Sequence, residues 1–362
     1  MVLGSQSESL HPEQRSGVTV PQSMSPTSTS EDLVAAVFGL LVVAAVYFDG
    51  RAHVLDLADS FFTPWHAALY GGLLLLIAWL AVISRRAATR YGHHRLGVIP
   101  AGYGLAISGA ALFAVGGVGD MIWHQIFGVE FGIDALLSPA HLVLFVGGVL
   151  LLSGPIRAFR LRTIPLSLLT RLPPTLAVLG ITAIAAFSLS FLSGFVTDSA
   201  TFAVLRAPEG TDAHIMSESI AATGLASYVI TSLVVVVPLS YLIRVRLAAL
   251  GTAILLVTSV ALLASVLMNF QEMGTVIAAL VAGALVDVVL RALRRLDASL
   301  RAQELVLATL LPLLLWSGQI LVTDMEQGVL WSVEMVTGAV ILSALASFAT
   351  VFSLGPVSAS HS

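Results

Sequence analysis

Two stretches of this sequence gather residue types that hold metal ions or move protons. The first reads Asp49-Gly-Arg-Ala-His53, then Asp56 and Asp59, then Thr63-Pro64-Trp65-His66, with Gly71-Gly72 following. The second reads Asp120-Met-Ile-Trp-His124, then Glu130 and Asp134, then Ser138-Pro139-Ala140-His141, with Gly147-Gly148 following. The order of Asp, His, acidic loop, hydroxyl residue with Pro, His and glycine pair is the same, offset by 71 positions at the Asp and 75 at the second His. This is an internal repeat. Asp and His at i and i+4 share a helical face, so each pair can converge on one ion or hydrogen-bond as an oriented unit. Thr63-Pro64 and Ser138-Pro139 read as an N-cap followed by Pro at the first helical position. That places His66 and His141 in the first turn of a returning helix, facing back toward their own hairpin's Asp and His. Asp49-Gly50 is also a turn signal, which would leave the first Asp beyond its helix end. The glycine pairs offer close helix approach, so we expect the two returning helices to pack together and the two triads to open into a common cavity.

The candidate metal ligands are therefore Asp49, His53, His66, Asp120, His124 and His141, with Glu130 as a secondary candidate. A third tip holds Asp198, Glu209, Asp212, His214 and Glu218, where His214 and Glu218 again have i, i+4 spacing. Glu272 and Glu334 begin later returning helices, each followed by a glycine, so carboxylates could replace imidazole there. Apart from Met1 and Met24, every Met (121, 216, 268, 273, 325 and 335) falls at the same side as these tips. Thioethers favour Cu(I), whereas imidazole and carboxylate suit zinc, iron or copper. The absence of cysteine removes disulfides, iron–sulfur clusters, thiolate zinc and cysteine nucleophiles. No Gly-x-Ser-x-Gly elbow supports serine chemistry.

Plainer readings stand beside these. Asp56, Asp59, Asp134, Glu209 and Asp212 read as solvated loop residues, Met at helix ends as adaptable packing, and Trp65, Trp123 and Trp331 as interfacial anchors. His93 and His94 lie in an arginine-rich joint, and His11 and His361 belong to the tails. Four histidines in a duplicated Asp/His pattern are a different matter, because polar groups at membrane depth are costly without a use.

The elements that must position these residues follow from composition. The chain has 362 residues, 57% of them hydrophobic and 10% charged, with a mean hydropathy of +0.96. One soluble core cannot hide that much apolar surface, so this is an integral membrane protein. Apolar stretches long enough to cross a bilayer recur at 32–49, 66–84, 98–120, 139–157, 174–195, 216–243, 247–268, 272–291, 304–322 and 330–352. Lipid obliges each to satisfy its backbone internally, which predicts an all-α polytopic protein of about ten transmembrane helices in five hairpins. Residues 1–31 and 353–362 read as tails, the first disordered, with the duplicated hairpins at 32–84 and 98–157 of a single helical domain.

Arginine sets the orientation. Arg85, Arg86, Arg90 and Arg95, then Arg157, Arg160, Arg162 and Arg171, then Arg244 and Arg246, then Arg291, Arg294, Arg295 and Arg301 all fall in joints on one side, with Arg51 and Arg206 on the other. The positive-inside rule places both termini in the cytoplasm, the chain in the inner membrane and the Asp/His tips outside. The partner this implies is the lipid bilayer, with room for additional membrane subunits. A net charge of −4 without a basic soluble domain argues against nucleic acid.

Asp49, three residues, His53, twelve residues and His66 resembles the Asp-x3-His-x12-His metal motif in the C subunit of copper membrane monooxygenases, the particulate methane and ammonia monooxygenase family. The resemblance covers 18 residues, and in the second copy sixteen residues separate His124 from His141. It implies that Asp49, His53 and His66 hold one copper ion at a membrane helix pair.

Three function classes follow. The first is an oxidative, copper-type metalloenzyme or its metal-binding subunit, a metal-dependent membrane oxidoreductase, with a zinc-dependent hydrolase as a variant. The second is a metal-ion or small-solute permease, disfavoured by the scarcity of ionisable residues in helix middles and of broken helices in matching halves. The third is a metal-handling protein without catalysis. A bis-His haem is disfavoured because His with Asp at i−4 suits a non-haem ion better.

Overall fold

The computed structural model describes residues 26–57, 63–90, 98–128, 130 and 132–355. The expectations for Asp59, His93, His94, Arg95 and most of both tails lie outside them. Among the described residues the chain is helical without strands: α1 (Thr29–Val54), α2 (Pro64–Arg90), α3 (Gly104–Phe127), α4 (Ile133–Leu137), α5 (Pro139–Leu152), α6 (Gly154–Arg160), α7 (Leu168–Ser188), α8 (Asp212–Arg244), α9 (Thr252–Leu267), α10 (Met273–Arg295), α11 (Leu300–Glu326) and α12 (Val333–Ser353). Helices α5 and α6 form one span, Pro139–Arg160, interrupted at Ser153, where Pro155 cannot donate to the preceding turn. Nine described helices are long and apolar enough to cross a membrane. The tenth, α9, has 16 residues, or about 24 Å at 1.5 Å per residue, short of a hydrocarbon core of roughly 30 Å.

Helix α1 starts ahead of the expected boundary because Ser28 caps it, its hydroxyl accepting from the Glu31 N–H while the Glu31 carboxylate accepts from the Ser28 N–H. The arginine-rich ends are tied to buried carboxylates. Asp32 accepts from Tyr103 (2.8 Å), Thr27 (2.6 Å) and Arg162, and Glu31 pairs with Arg90 at 2.9 Å. Glu304 pairs with Arg244 at 2.6 Å, and Arg301 donates to the carbonyls of Val351 and Phe352. The arginines expected to set orientation therefore also clamp α1, α2, α3 and α6 together at one end, and α8, α11 and α12 likewise.

The apolar core has two main parts. One is built from α7 to α12 around Trp316, Tyr228 and Val257. The other joins the two Asp/His hairpins through Val42, Leu73, Tyr103, Ala106 and Phe113. A smaller cluster of Tyr47, Leu152, Ala183 and Leu267 links α1 to α5, α7 and α9. Large apolar side chains such as Leu74, Val115 and Leu345 stand exposed on the outside, as lipid-facing helices require.

The glycine pairs do not join α2 to α5. A Cβ on Gly147 would lie 2.6 Å from the Phe113 nitrogen, and one on Gly109 would lie 2.4 Å from the Leu151 nitrogen. Gly147 thus serves the close packing of α3 on α5 inside its own hairpin. Gly72 faces Val42 of α1, and a Cβ on Gly71 would meet nothing within 4 Å. Close contact is made where no side chain intervenes on either helix, and Gly109 supplies that match within the hairpin. Trp331 is likewise no interfacial anchor: it is buried against Tyr228, with ring centroids 6.1 Å apart.

Candidate metal centre

Helix α1 continues through Asp49 and Gly50 to Val54, so the Asp49-Gly50 turn signal is overruled. Gly50 is there for space: a Cβ at that position would lie 2.5 Å from the Phe187 ring of α7. With the helix unbroken, Asp49 and His53 occupy one face of its last turns. His66 comes from the first turn of α2, which Pro64 opens. The Asp49 Oδ1 atom lies 3.2 Å from His66 Nε2, and Oδ2 lies 3.9 Å from His53 Nε2. One donor atom from each of the three residues falls within 4.8 Å of the others, and among the described residues this is the group of His, Asp and Glu that meets that condition. Donors bound at about 2.0–2.2 Å in a tetrahedron sit roughly 3.3–3.6 Å apart, so small side-chain movements bring this set onto one ion.

The Thr63 hydroxyl lies 2.9 Å from His66 Nδ1. Holding that nitrogen turns Nε2 toward Asp49 and, when Nδ1 carries the proton, presents the Nε2 lone pair. Tyr70, one turn along α2, stacks on His66 with ring centroids 5.9 Å apart and planes 9° from parallel. The sequence reading missed this contact, although its i, i+4 spacing was visible. His66 is buried, while the His53 side chain is 33% exposed. The group is thus buried at His66 and more accessible at His53.

The second hairpin repeats the plan. Ser138 caps α5 with Pro139 at its start, accepting from the His141 N–H (3.3 Å) and lying 2.7 Å from His141 Nδ1. Asp120 Oδ1 lies 3.6 Å from His141 Nε2 and 3.8 Å from His124 Nε2. The ring centroids of His124 and His141 are 6.4 Å apart, against 6.3 Å for His53 and His66. These side chains do not close as tightly as the first set, for a visible reason. The longer connection carries α4 and Glu130, whose Oε2 lies 3.1 Å from His124 Nε2 and competes with Asp120 for it.

The remaining candidates do not join a ligand group. His214 and Glu218 lie in the first turns of α8, where the Thr211 hydroxyl accepts from the His214 N–H and Glu218 is exposed. Glu334 is exposed in the first turn of α12. Glu272 precedes α10, where burial, then Glu326 and Asp198, push its carboxyl up from the usual carboxylate range. Met216 and Met325 are exposed, and the Met273 sulfur accepts from the Ser265 hydroxyl. Arg51, beside Asp49, donates to Asn269 at the α9–α10 tip.

The chain is a multi-pass helical membrane protein with an Asp/His group where its first two helices meet. No protein-family model, curated protein or solved structure matches it.

Proposed function

We propose that Asp49, His53 and His66 bind a first-row transition ion, and that the protein is a copper-type membrane oxidoreductase or its metal-binding subunit. The convergence of two imidazoles and one carboxylate, with His66 oriented by Thr63, carries this reading. Two imidazoles and one carboxylate are the donor types that catalytic transition-metal sites use. The local resemblance to the copper monooxygenase C subunit favours copper, and the same N2O donor set accepts iron or zinc. The arginine bias supports an inner-membrane chain with both termini cytoplasmic and the site facing outward. Metal analysis of purified protein reloaded with Cu, Fe or Zn tests the reading: Asp49→Asn, His53→Ala and His66→Ala should each lose bound ion, whereas His214→Ala should not. Equal metal content in all four would reject the site.

A further inference from the structure

The two hairpins differ at one matched position beside the returning histidine. Tyr70 follows His66 by four residues and Phe145 follows His141 by four, so the repeat carries a phenol in one copy and a phenyl in the other. Residues four apart on a helix meet, yet the two rings are used differently. Phe145 packs against the apolar cluster of Tyr47, Leu152 and Ala183. Tyr70 lies on the His66 imidazole in an offset stack, with centroids 5.9 Å apart and planes 9° from parallel. The neighbouring helices account for the difference: α5 has α3 and α7 packed on it, whereas α2 packs mainly on α1.

Thr63 holds the His66 ring by its Nδ1 edge, and a contact at one edge leaves an imidazole free to tilt about it. A flat ring against its face removes that freedom. The His66 side chain, held at edge and face, is 10% exposed and lies 3.2 Å from its aspartate. The His141 side chain, held at its edge by Ser138, is 30% exposed and lies 3.6 Å from its own. We infer that Tyr70 is a positioning residue, whose ring fixes the plane of the His66 imidazole and so aims Nε2 at Asp49. Ligands whose rotamers are already locked by packing and outer contacts bind an ion more tightly. The consequence for metal affinity rests on the reading of Asp49, His53 and His66 as a binding group, while the orientation of the ring does not.

Two substitutions separate the ring face from bulk and from the hydroxyl: Tyr70→Phe keeps the flat ring without the oxygen, and Tyr70→Leu keeps apolar bulk without a flat face. The full chain in detergent, free of metal, is treated with diethyl pyrocarbonate, which acylates accessible imidazole nitrogens, and His66 is followed by peptide mass spectrometry. Modification should be slow in the parent and in Tyr70→Phe and several-fold faster in Tyr70→Leu. The rate at His214, outside the group, should be the same in all three, which separates a local change from loss of the fold. Cu2+ affinity, measured by chelator competition, should fall about 10-fold in Tyr70→Leu and stay at the parent value in Tyr70→Phe. Equal His66 rates in the Leu and Phe variants, or equal Cu2+ affinities in proteins that bind the ion, would overturn the role. If the rates separate as expected but the parent takes up no Cu2+, the metal reading fails and the orientation of His66 by Tyr70 stands.

Discussion

His66 Nε2 lies 3.2 Å from Asp49 Oδ1 across the tip of the first hairpin, and the opposite ring nitrogen of His66 lies 2.9 Å from the Thr63 hydroxyl. The aspartate comes from the end of one helix and the histidine from the start of the next, so the contact depends on both helices reaching the tip. An imidazole held at both nitrogens presents one coordinating atom in one direction, and that orientation is worth affinity.

Thr63→Val should therefore weaken metal binding by about 10–100-fold without removing a ligand. Thr63→Ser should bind as the parent does. Competition titration against a chromogenic chelator measures the difference. Equal affinities for Val and Ser would remove Thr63 from the site.

Gly109→Ala should destabilise the protein, because its methyl group would lie 2.4 Å from the Leu151 nitrogen. Overpacking of this kind costs about 1–3 kcal/mol. Gly117→Ala, on the same helix but with nothing within 4 Å of the added atom, should be neutral or gain up to about 1 kcal/mol from helix propensity. Thermal melts in detergent distinguish them.

Arg162→Ala leaves the fully buried Asp32 without its cationic partner. Breaking a buried pair from one side costs about 3–5 kcal/mol, so this variant should melt far below the parent. Arg85→Ala, at an exposed position, should not.

The carboxyl of Glu272 is raised by burial first and by Glu326 and Asp198 next. The folded state then binds this proton more tightly than the unfolded state. Its contribution is most favourable in acid and is lost as pH rises through the folded value. Glu272→Gln should therefore raise the melting temperature at neutral pH and leave it unchanged well below the carboxylate range. A gain of equal size at both pH values would exclude titration of Glu272 as the cause.

With no native cysteine to interfere, Ala213→Cys at the start of α8 should react with an impermeant thiol reagent added outside intact cells. Leu296→Cys, after α10 at the arginine-rich end, should react only after lysis. The reverse pattern would invert the orientation.

Hydropathy and lipid physics made the helices legible. A backbone in hydrocarbon must bond to itself, so each long apolar run in this sequence was a helix before any contact was known. The i, i+4 spacing of Asp49 with His53 and of Asp120 with His124, and the Thr-Pro and Ser-Pro starts, are local, and local geometry placed both triads at their hairpin tips. What the chain does between distant positions was not legible. Gly50 reads as a turn until Phe187, far along the sequence, is found against it. Gly147 could have served any neighbouring helix, and only the fit of α3 on α5 chose Gly109 as its partner. Arg162 reads as a topology signal until it meets buried Asp32, and the spacing of Glu130, a secondary ligand candidate in the sequence, does not say that it reaches His124. Spacing along a helix is set by its 3.6-residue turn. Which faces meet is set by packing shape and by the pairing of buried charge, and these exist only once the helices are assembled.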